Sequence, residues 1–399
     1  MAPAHADIAE GPVVSEASWE LERLDDLVAD LVAAYAERSA RDARIVAGRL
    51  GLGGRRPETL TLLALRDDLA RDRARQLYAK AVGRIVREAG RTGHAAIAEF
   101  ARRYPPGTGD HALVRALLAE TYAGDTDLAA MEWSYLKLRL AGHEPGDAKR
   151  VAGYVMQRIL GWQKKTAIVL AKLADPGESG AELAALLARA ERSAAPGAPA
   201  PLPSESARVA DADDDGRGRF YLAKVGREVA YDSALQARLL RLLAASPLVD
   251  TFREEPLALT HTEDGTDRVH YPAVAARLAG GGTVLIDVLP LGRLGFSPTR
   301  RAYLLGRERA HELGWSYLCW TGSDLDPRAL AARAPHGAVA DRVADLLAEA
   351  PLDRAGIDRL LRGADLDLLD LAGLALRHDW VWERAPMRLS APPSSPPAG

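Results

Sequence analysis

The chain has 399 residues, 48% of them apolar and 27% charged, with a formal net charge of −3. That balance excludes a fibre and fits a globular protein with room for two or three ordinary cores. One cysteine, Cys319, excludes an internal disulfide and a cysteine-built zinc site. No apolar stretch is long enough to cross a bilayer, and the first residues lack the basic-then-apolar order of a signal peptide. A cytoplasmic, nucleoid-associated protein is expected.

In chain order, residues 1–17 read as a disordered N-terminus. From Ser18 to about Arg192 apolar residues recur three and four apart, as in Leu21, Leu24, Leu27, Leu31 and Tyr35, which predicts helix after helix. A helical domain is therefore expected over 18–193. The Pro/Ala/Ser-rich run from Ala194 to Ser206 and the acidic run Asp211–Asp215 predict a flexible linker over 194–218. An α/β domain follows over 219–335. Its helix is expected at Tyr231–Ala245, its strands at Leu257–Thr262, Val269–Arg277, Thr283–Leu289 and Tyr317–Trp320, and a second helix at Thr299–Leu313. Residues 336–388 form a C-terminal unit, helical from Asp341 to about Trp382, in which Trp380 and Trp382 suggest a small winged-helix-like packing. Residues 389–399 read as a disordered tail. The fold class is multidomain: all-α with a helix-turn-helix, then α/β.

The helix-turn-helix lies within Asp42–Arg87. Thr59–Leu65 predicts a short helix with Leu60, Leu63 and Ala64 on one face. After a polar break at Asp67–Asp68 a second helix, Arg71–Arg87, carries Ala74, Leu77, Ala81, Val82 and Ile85 as its buried stripe. Asp72, Arg75, Gln76 and Ala79 follow i, i+3, i+4, i+7 spacing and project together on the opposite face. Arginine and glutamine read guanine and adenine edges bidentately in the major groove. Arg71 and Lys80 share that face, and Arg73, Lys80, Arg84 and Arg87 lie towards the flanks, where phosphates would be. Small residues at 79 and 83 let the helix lie deep in a groove. Asp68 is the candidate cap for the second helix. This stretch resembles region 4 of bacterial sigma factors at Arg49–Leu52, Thr59–Leu60, Ala64, Arg71, Arg73, Arg75–Leu77 and Lys80–Ala81. The resemblance implies a second helix that contacts promoter DNA in the major groove. It departs from the family at Asp67, usually apolar, and at Ala70, usually a Ser or Thr cap. The other sigma regions have no counterpart here, so the chain does not read as a sigma factor.

Farther on stand Ser233–Gln236, Pro247–Val249, Phe252–Pro256, Tyr271–Ala273, Val284–Pro290 and Gly314–Tyr317. In this order they resemble the PD-(D/E)XK nuclease fold, in particular TnsA-like transposase endonucleases, over about Asp232–Trp320. The resemblance implies a site of carboxylates holding Mg²⁺ with a lysine beside the attacking water. Here the helix glutamate is replaced by Gln236, the first aspartate by Ala273 and the lysine by Leu289. Asp287 alone is kept, and no lysine follows Lys224. Arginine cannot substitute as a proton carrier. The domain therefore reads as a pseudo-nuclease with no catalytic residues and no cofactor. The open alternative is a migrated metal site at Asp287 with Glu254, Glu255 or His270. Otherwise Asp287 is a hydrogen-bonded structural residue and Glu254–Glu255 lie in a solvated turn.

Arg300, Arg301, Arg307 and Arg309 lie where the parent fold faces nucleic acid, and Arg300 and Arg301 are candidate secondary contacts. Lys164–Lys165 form a small basic patch or an ordinary helix surface. Gly280–Gly282 lies between strands and is not a phosphate loop. The nine histidines show no ligand spacing. Trp315 and Trp320 read as core, and Cys319 as an inert buried thiol. The chain thus reads as a non-enzymatic, double-stranded-DNA-binding regulator or recognition subunit of a mobile-element or defence system, with a possible protein partner and no membrane. An active Mg²⁺-dependent endonuclease and a protein-interaction scaffold remain the alternatives.

Overall fold

The computed structural model describes residues 16–123, 128–172, 176–193, 198–208, 217–263, 266–363, 366–384 and 386–392. The side chains of 16–22, 122–123, 162–172, 176–180, 263 and 266 are not described. Residues 1–15 of the expected disordered N-terminus, the acidic run and most of the expected tail therefore lie outside the described residues, while residues 16–17 already belong to a helix. So do the Lys164–Lys165 side chains.

The first half is helical: α1 (Glu16–Ala36), α2 (Ala40–Leu50), α3 (Leu60–Arg66), α4 (Arg71–Thr92), α5 (Ala95–Arg103), α6 (Asp110–Ala123), α7 (Ala130–Leu140) and α8 (Pro145–Lys172). Apolar stripes of α1, α2 and α4–α8 meet in one core that includes Val28, Val46, Ile85, Phe100, Leu138 and Val155. Gly51 ends α2 in the left-handed region at φ +67°, and a Cβ there would meet Arg55 O at 2.5 Å. Glycine is required at that turn. No described helix is long and apolar enough to cross a membrane.

A ninth helix, α9 (Pro176–Ala188), changes allegiance. Its Leu183 and Leu186 belong to the core of the α/β half, not to the helical core. The described part of the expected flexible linker is tied down as well. Ala200 N donates to Leu313 O at 2.8 Å, Trp315 Nε1 donates to Ala200 O at 2.8 Å, and Ala207 N donates to Glu255 O at 2.8 Å. Residues 198–208 are thus a strap over the α/β half. Composition alone predicted mobility there because it does not reveal which backbone groups find partners.

The α/β half opens with a hairpin, β1 (Gly218–Leu222) and β2 (Arg227–Tyr231), that the sequence reading missed. Then come α10 (Ala234–Ala245), β3 (Val249–Glu254), β4 (Leu259–Glu263), β5 (Thr266–His270), β6 (Val274–Leu278), β7 (Thr283–Val288), α11 (Ser297–Glu312) and β8 (Ser316–Trp320). The single strand expected at Val269–Arg277 is two, separated at Tyr271–Ala273, because Pro272 cannot donate to a ladder. The main sheet runs β3-β6-β7-β8, with β3, β6 and β7 antiparallel and β8 parallel to β7. β4 and β5 form a separate hairpin inserted before β6. One face of the sheet, with Val284, Ile286 and Leu318, packs with α9 and α10. The other, with Leu285, Tyr317 and Cys319, packs with α11. Burial on both faces explains why Val284–Ile286 shows no polar alternation.

The remainder comprises α12 (Pro327–Arg333), α13 (Ala338–Glu349), β9 (Leu352–Asp353), α14 (Arg354–Gly363), α15 (Leu368–Arg377), β10 (Val381–Arg384) and β11 (Met387–Ser390), with sheet order β10-β11-β9. From α13 onward this is the helix–strand–helix–helix–strand–strand order of a winged helix. The continuous helical reading to Trp382 gives way to strands, and residues 389–390, expected in the tail, belong to β11.

Candidate nucleic-acid interface and central cleft

Thr59 starts α3 by accepting a hydrogen bond from Leu62 N at 3.3 Å. The chain then turns through Asp67–Ala70, with Asp68 left-handed at φ +51°, and α4 begins at Arg71. Aspartate tolerates that conformation better than most residues. It does not cap α4: the N-cap position is Ala70 and no side chain bonds there. Ile45, Leu60, Leu63 and Leu77 form a small separate core that fixes α3 on α4. The predicted stripe, Ala74, Leu77, Ala81, Val82 and Ile85, is buried.

The opposite face of α4 is solvent-exposed at Asp72, Arg73, Arg75, Gln76, Ala79, Lys80, Arg84 and Arg87, while Arg71 is half-buried. Arg73 Nη1 donates to Gln76 Oε1 at 3.3 Å, and Arg84 Nη1 to the Tyr35 hydroxyl at 3.4 Å. Among the described residues Arg75, Lys80 and Arg87 form no ion pair. Their charge is available to an outside anion without breaking an internal contact. Arg84, already engaged, is less so.

The expected secondary contacts are differently placed. Arg300 is largely buried, donates to Ala375 O at 3.0 Å and lies 3.9 Å from Asp379, so it fastens α11 to α15. Arg301 is exposed and donates to Thr262 O at 3.3 Å. Arg307 pairs with Glu191 at 2.8 Å and Arg309 with Glu312 at 2.7 Å. Helix α15, in the recognition-helix position of the winged-helix order, is buried at Leu369 and from Leu371 to Ala375. A Cβ on Gly373 would meet Leu330 O of α12 at 2.5 Å. That helix has no face to offer DNA.

Between the halves lies a cleft of about 540 Å³. Gln236, Ala273, Asp287 and Leu289 all line it, together with the α2–α3 loop, Leu62 and Arg66. Asp287 is 1% exposed, accepts from the Tyr317 hydroxyl at 2.9 Å and bonds His270 Nε2 at 2.9 Å. A Cβ on Gly306 would fall 2.2 Å from its Oδ2, so α11 can approach only without a side chain. Burial and Asp287 push the Tyr317 phenol well up, keeping it a donor. Gln236 Oε1 accepts from Asp232 N at 2.8 Å. Of the four positions of the nuclease resemblance Asp287 alone is a carboxylate, and it is already engaged by Tyr317 and His270, which does not suit Mg²⁺. Among the described residues no group of three His, Cys, Asp or Glu is placed to hold a metal.

Glu254 and Glu255 are buried, not solvated. Glu254 receives both Nη atoms of Arg227 at 2.6 Å. Glu255, 1% exposed and at φ +44°, sits in a charge cluster that sequence reasoning missed. Arg56 reaches across from the α2–α3 loop to Glu255 at 2.6 Å and contacts Asp232. Arg208 lies 3.3 Å from both acids, and Arg217 pairs with both. Arg56 also stacks over Tyr271, 5.7 Å from the ring centre. Burial would raise the Glu255 carboxyl, but Arg56, Arg217 and Arg208 outweigh it and hold it below its ordinary range. Burial brings Arg56 down to about 10 against the pull of Glu255. Glu58 adds a second tie, bridging Arg66 on α3 at 2.5 Å and Arg268 on β5 at 3.3 Å. Nothing local in Arg55–Arg56–Pro57 signals this role.

No protein-family model, curated protein or solved structure matches this chain at a significant level.

Proposed function

We propose that the protein binds duplex DNA through α4, with Arg75 and Gln76 reading base edges and Arg71, Arg73, Lys80 and Arg84 on the phosphates. The observation that carries this reading is the outward face of α4. It presents exposed arginines, an amide and small residues, on a helix whose other face is locked to α3 by its own core. The α/β half is then a nuclease-like unit that does not cut. Its order, α10, three antiparallel strands, α11 and a parallel fourth strand, supports the PD-(D/E)XK resemblance, and the engaged Asp287 argues against metal chemistry. The role is that of a regulator or recognition subunit of a mobile-element or defence system.

Selection of oligonucleotides by the full-length chain tests this: an enriched motif with salt-sensitive retention is expected. Enrichment of no motif would remove sequence-specific reading. The scaffold alternative draws on Leu65, 72% exposed on α3, and predicts retention that ignores salt. Mg²⁺-dependent nicking lost in Asp287→Ala would instead establish the endonuclease alternative.

A further inference from the structure

We propose that the two halves form a hinged clamp, closed by ion pairs around the central cleft and opened by ionic strength while each half stays folded. The chain passes from the helical half to the α/β half once, between α8 and α9. Among the described residues no apolar cluster draws side chains from both sides of that crossing. Relative motion is the default for halves that share no apolar core.

Four ion pairs span the boundary instead. Arg56 reaches Glu255 at 2.6 Å, Glu58 reaches Arg268 at 3.3 Å, Asp26 reaches Arg354 at 3.1 Å and Asp25 reaches Arg384 at 2.6 Å. Three of these arginines belong to the α/β half and face carboxylates of the helical half, so the two faces are complementary in charge. Asp25, Arg56, Glu58, Arg268 and Arg384 all line the cleft. The latches thus ring the gap, and the gap is the seam along which the halves part. In every pair at least one partner is partly exposed, so mobile ions reach it. The attraction in such a pair is offset by the cost of desolvating it, and salt screens what remains. Apolar burial is not weakened by salt in that way.

The pivot lies where the chain crosses: α8, from whose end it leaves the helical half, runs beside β1. Closure bears on one loop above all. Arg56 and Glu58 flank Pro57 just ahead of Thr59, the cap of α3, so the α/β half grips the connection into the helix-turn-helix. In the open form that grip is released, and the cleft walls at Leu62 and Val269 move apart. The clamp does not require that α4 meets DNA.

Spin labels on the full-length chain carrying Leu62→Cys and Val269→Cys read the opening, since each is a partly exposed residue on the cleft and they belong to opposite halves. Cys319 is buried and escapes labelling. Double electron–electron resonance should show one short distance at about 0.05 M NaCl and a growing longer one towards about 1 M, where the Debye length is about 3 Å. Far-UV circular dichroism should not change over that range. Arg354→Gln and Arg384→Gln, each removing one latch, should raise the open-to-closed ratio about tenfold, the effect of one charged hydrogen bond. Arg150→Gln, which breaks pairs with Asp110 and Asp147 inside the helical half, should leave the ratio unchanged. The proposal is overturned if the distance stays fixed up to about 1 M salt with and without the latch variants. It is equally overturned if Arg150→Gln opens the molecule as far as they do, or if longer distances appear only as the circular dichroism is lost.

Discussion

Two of the described helix pairs, α3–α4 and α14–α15, end in opposite circumstances. In α3–α4 the second helix buries one stripe and leaves Arg75, Gln76 and Lys80 in water. In α14–α15, despite a hairpin wing and an Asp367–Asp370 capping box that starts α15, the second helix disappears under α12 and α11. The difference lies in residue choice on the outer face. Alternating arginines and small residues keep α4 exposed because burying them would strand charge. Leu371, Ala372, Gly373, Leu374 and Ala375 leave α15 no polar side to keep wet. A motif's topology therefore says little about its use until the composition of both faces is read.

The contrast can be broken by substitution. The largest expected effect is on α15: Leu374→Ala should lower stability by about 2–5 kcal/mol in chemical denaturation, with unchanged DNA affinity of the folded fraction. On α4, Arg75→Ala or Gln76→Ala should do the reverse, costing about 1–3 kcal/mol of specific DNA binding. Fluorescence anisotropy on a selected site measures it, and an unchanged melting temperature is expected. A DNA effect from Leu374 and none from Arg75 would invert the assignment.

The same glycine-to-alanine change should carry opposite signs in the two helices. Gly373→Ala drives a methyl into Leu330 O and should destabilise by about 1–3 kcal/mol. At Gly83 of α4 the nearest group is the Arg87 guanidinium at 3.5 Å, so Gly83→Ala should stabilise by about 0.5–1 kcal/mol through helix propensity. Paired thermal melts decide both.

The smallest effect sharpens how the α4 half is attached. The folded Glu255 carboxyl lies below its ordinary 4.5. Its pairing with Arg56 therefore stabilises above that pH, and the contribution is lost as pH falls through the lower folded value. Hydrogen exchange at residues 51–59 should accelerate with acid before exchange at β7 does. Uniform acceleration would mean that the cluster is not what holds the halves together.

The helix pair at α3–α4 was legible because its evidence is local: Gly51 at the end of α2, Thr59 three residues before the Leu62 amide it caps, and a stripe at helical spacing. Asp287 as a hydrogen-bonded strand residue was legible for the same reason, since Val284, Leu285, Ile286 and Val288 around it on β7 are apolar. Arg56 and Glu255 stand 199 positions apart, and no periodicity connects them. Glu254–Glu255 before Pro256 reads as a solvated turn until the arginines that neutralise it are in place. The strands β9–β11 were missed because two to four residues are too few to show alternation.

The displaced allegiance of α9 bears on how the protein can be taken apart. A cleavage at residue 193, where the composition changes, would carry Leu183 and Leu186 away from the core they complete. It would also leave Glu191 without its antiparallel bridge to Tyr317. The helical piece released would expose a greasy helix end, and the α/β piece would have an open sheet edge beside β8, inviting aggregation of both. A cut ahead of Pro176 keeps each set of side chains with its own partners. Even then Arg56 would leave its acids behind, so the separated halves should be more soluble near neutral pH when mixed than when kept alone.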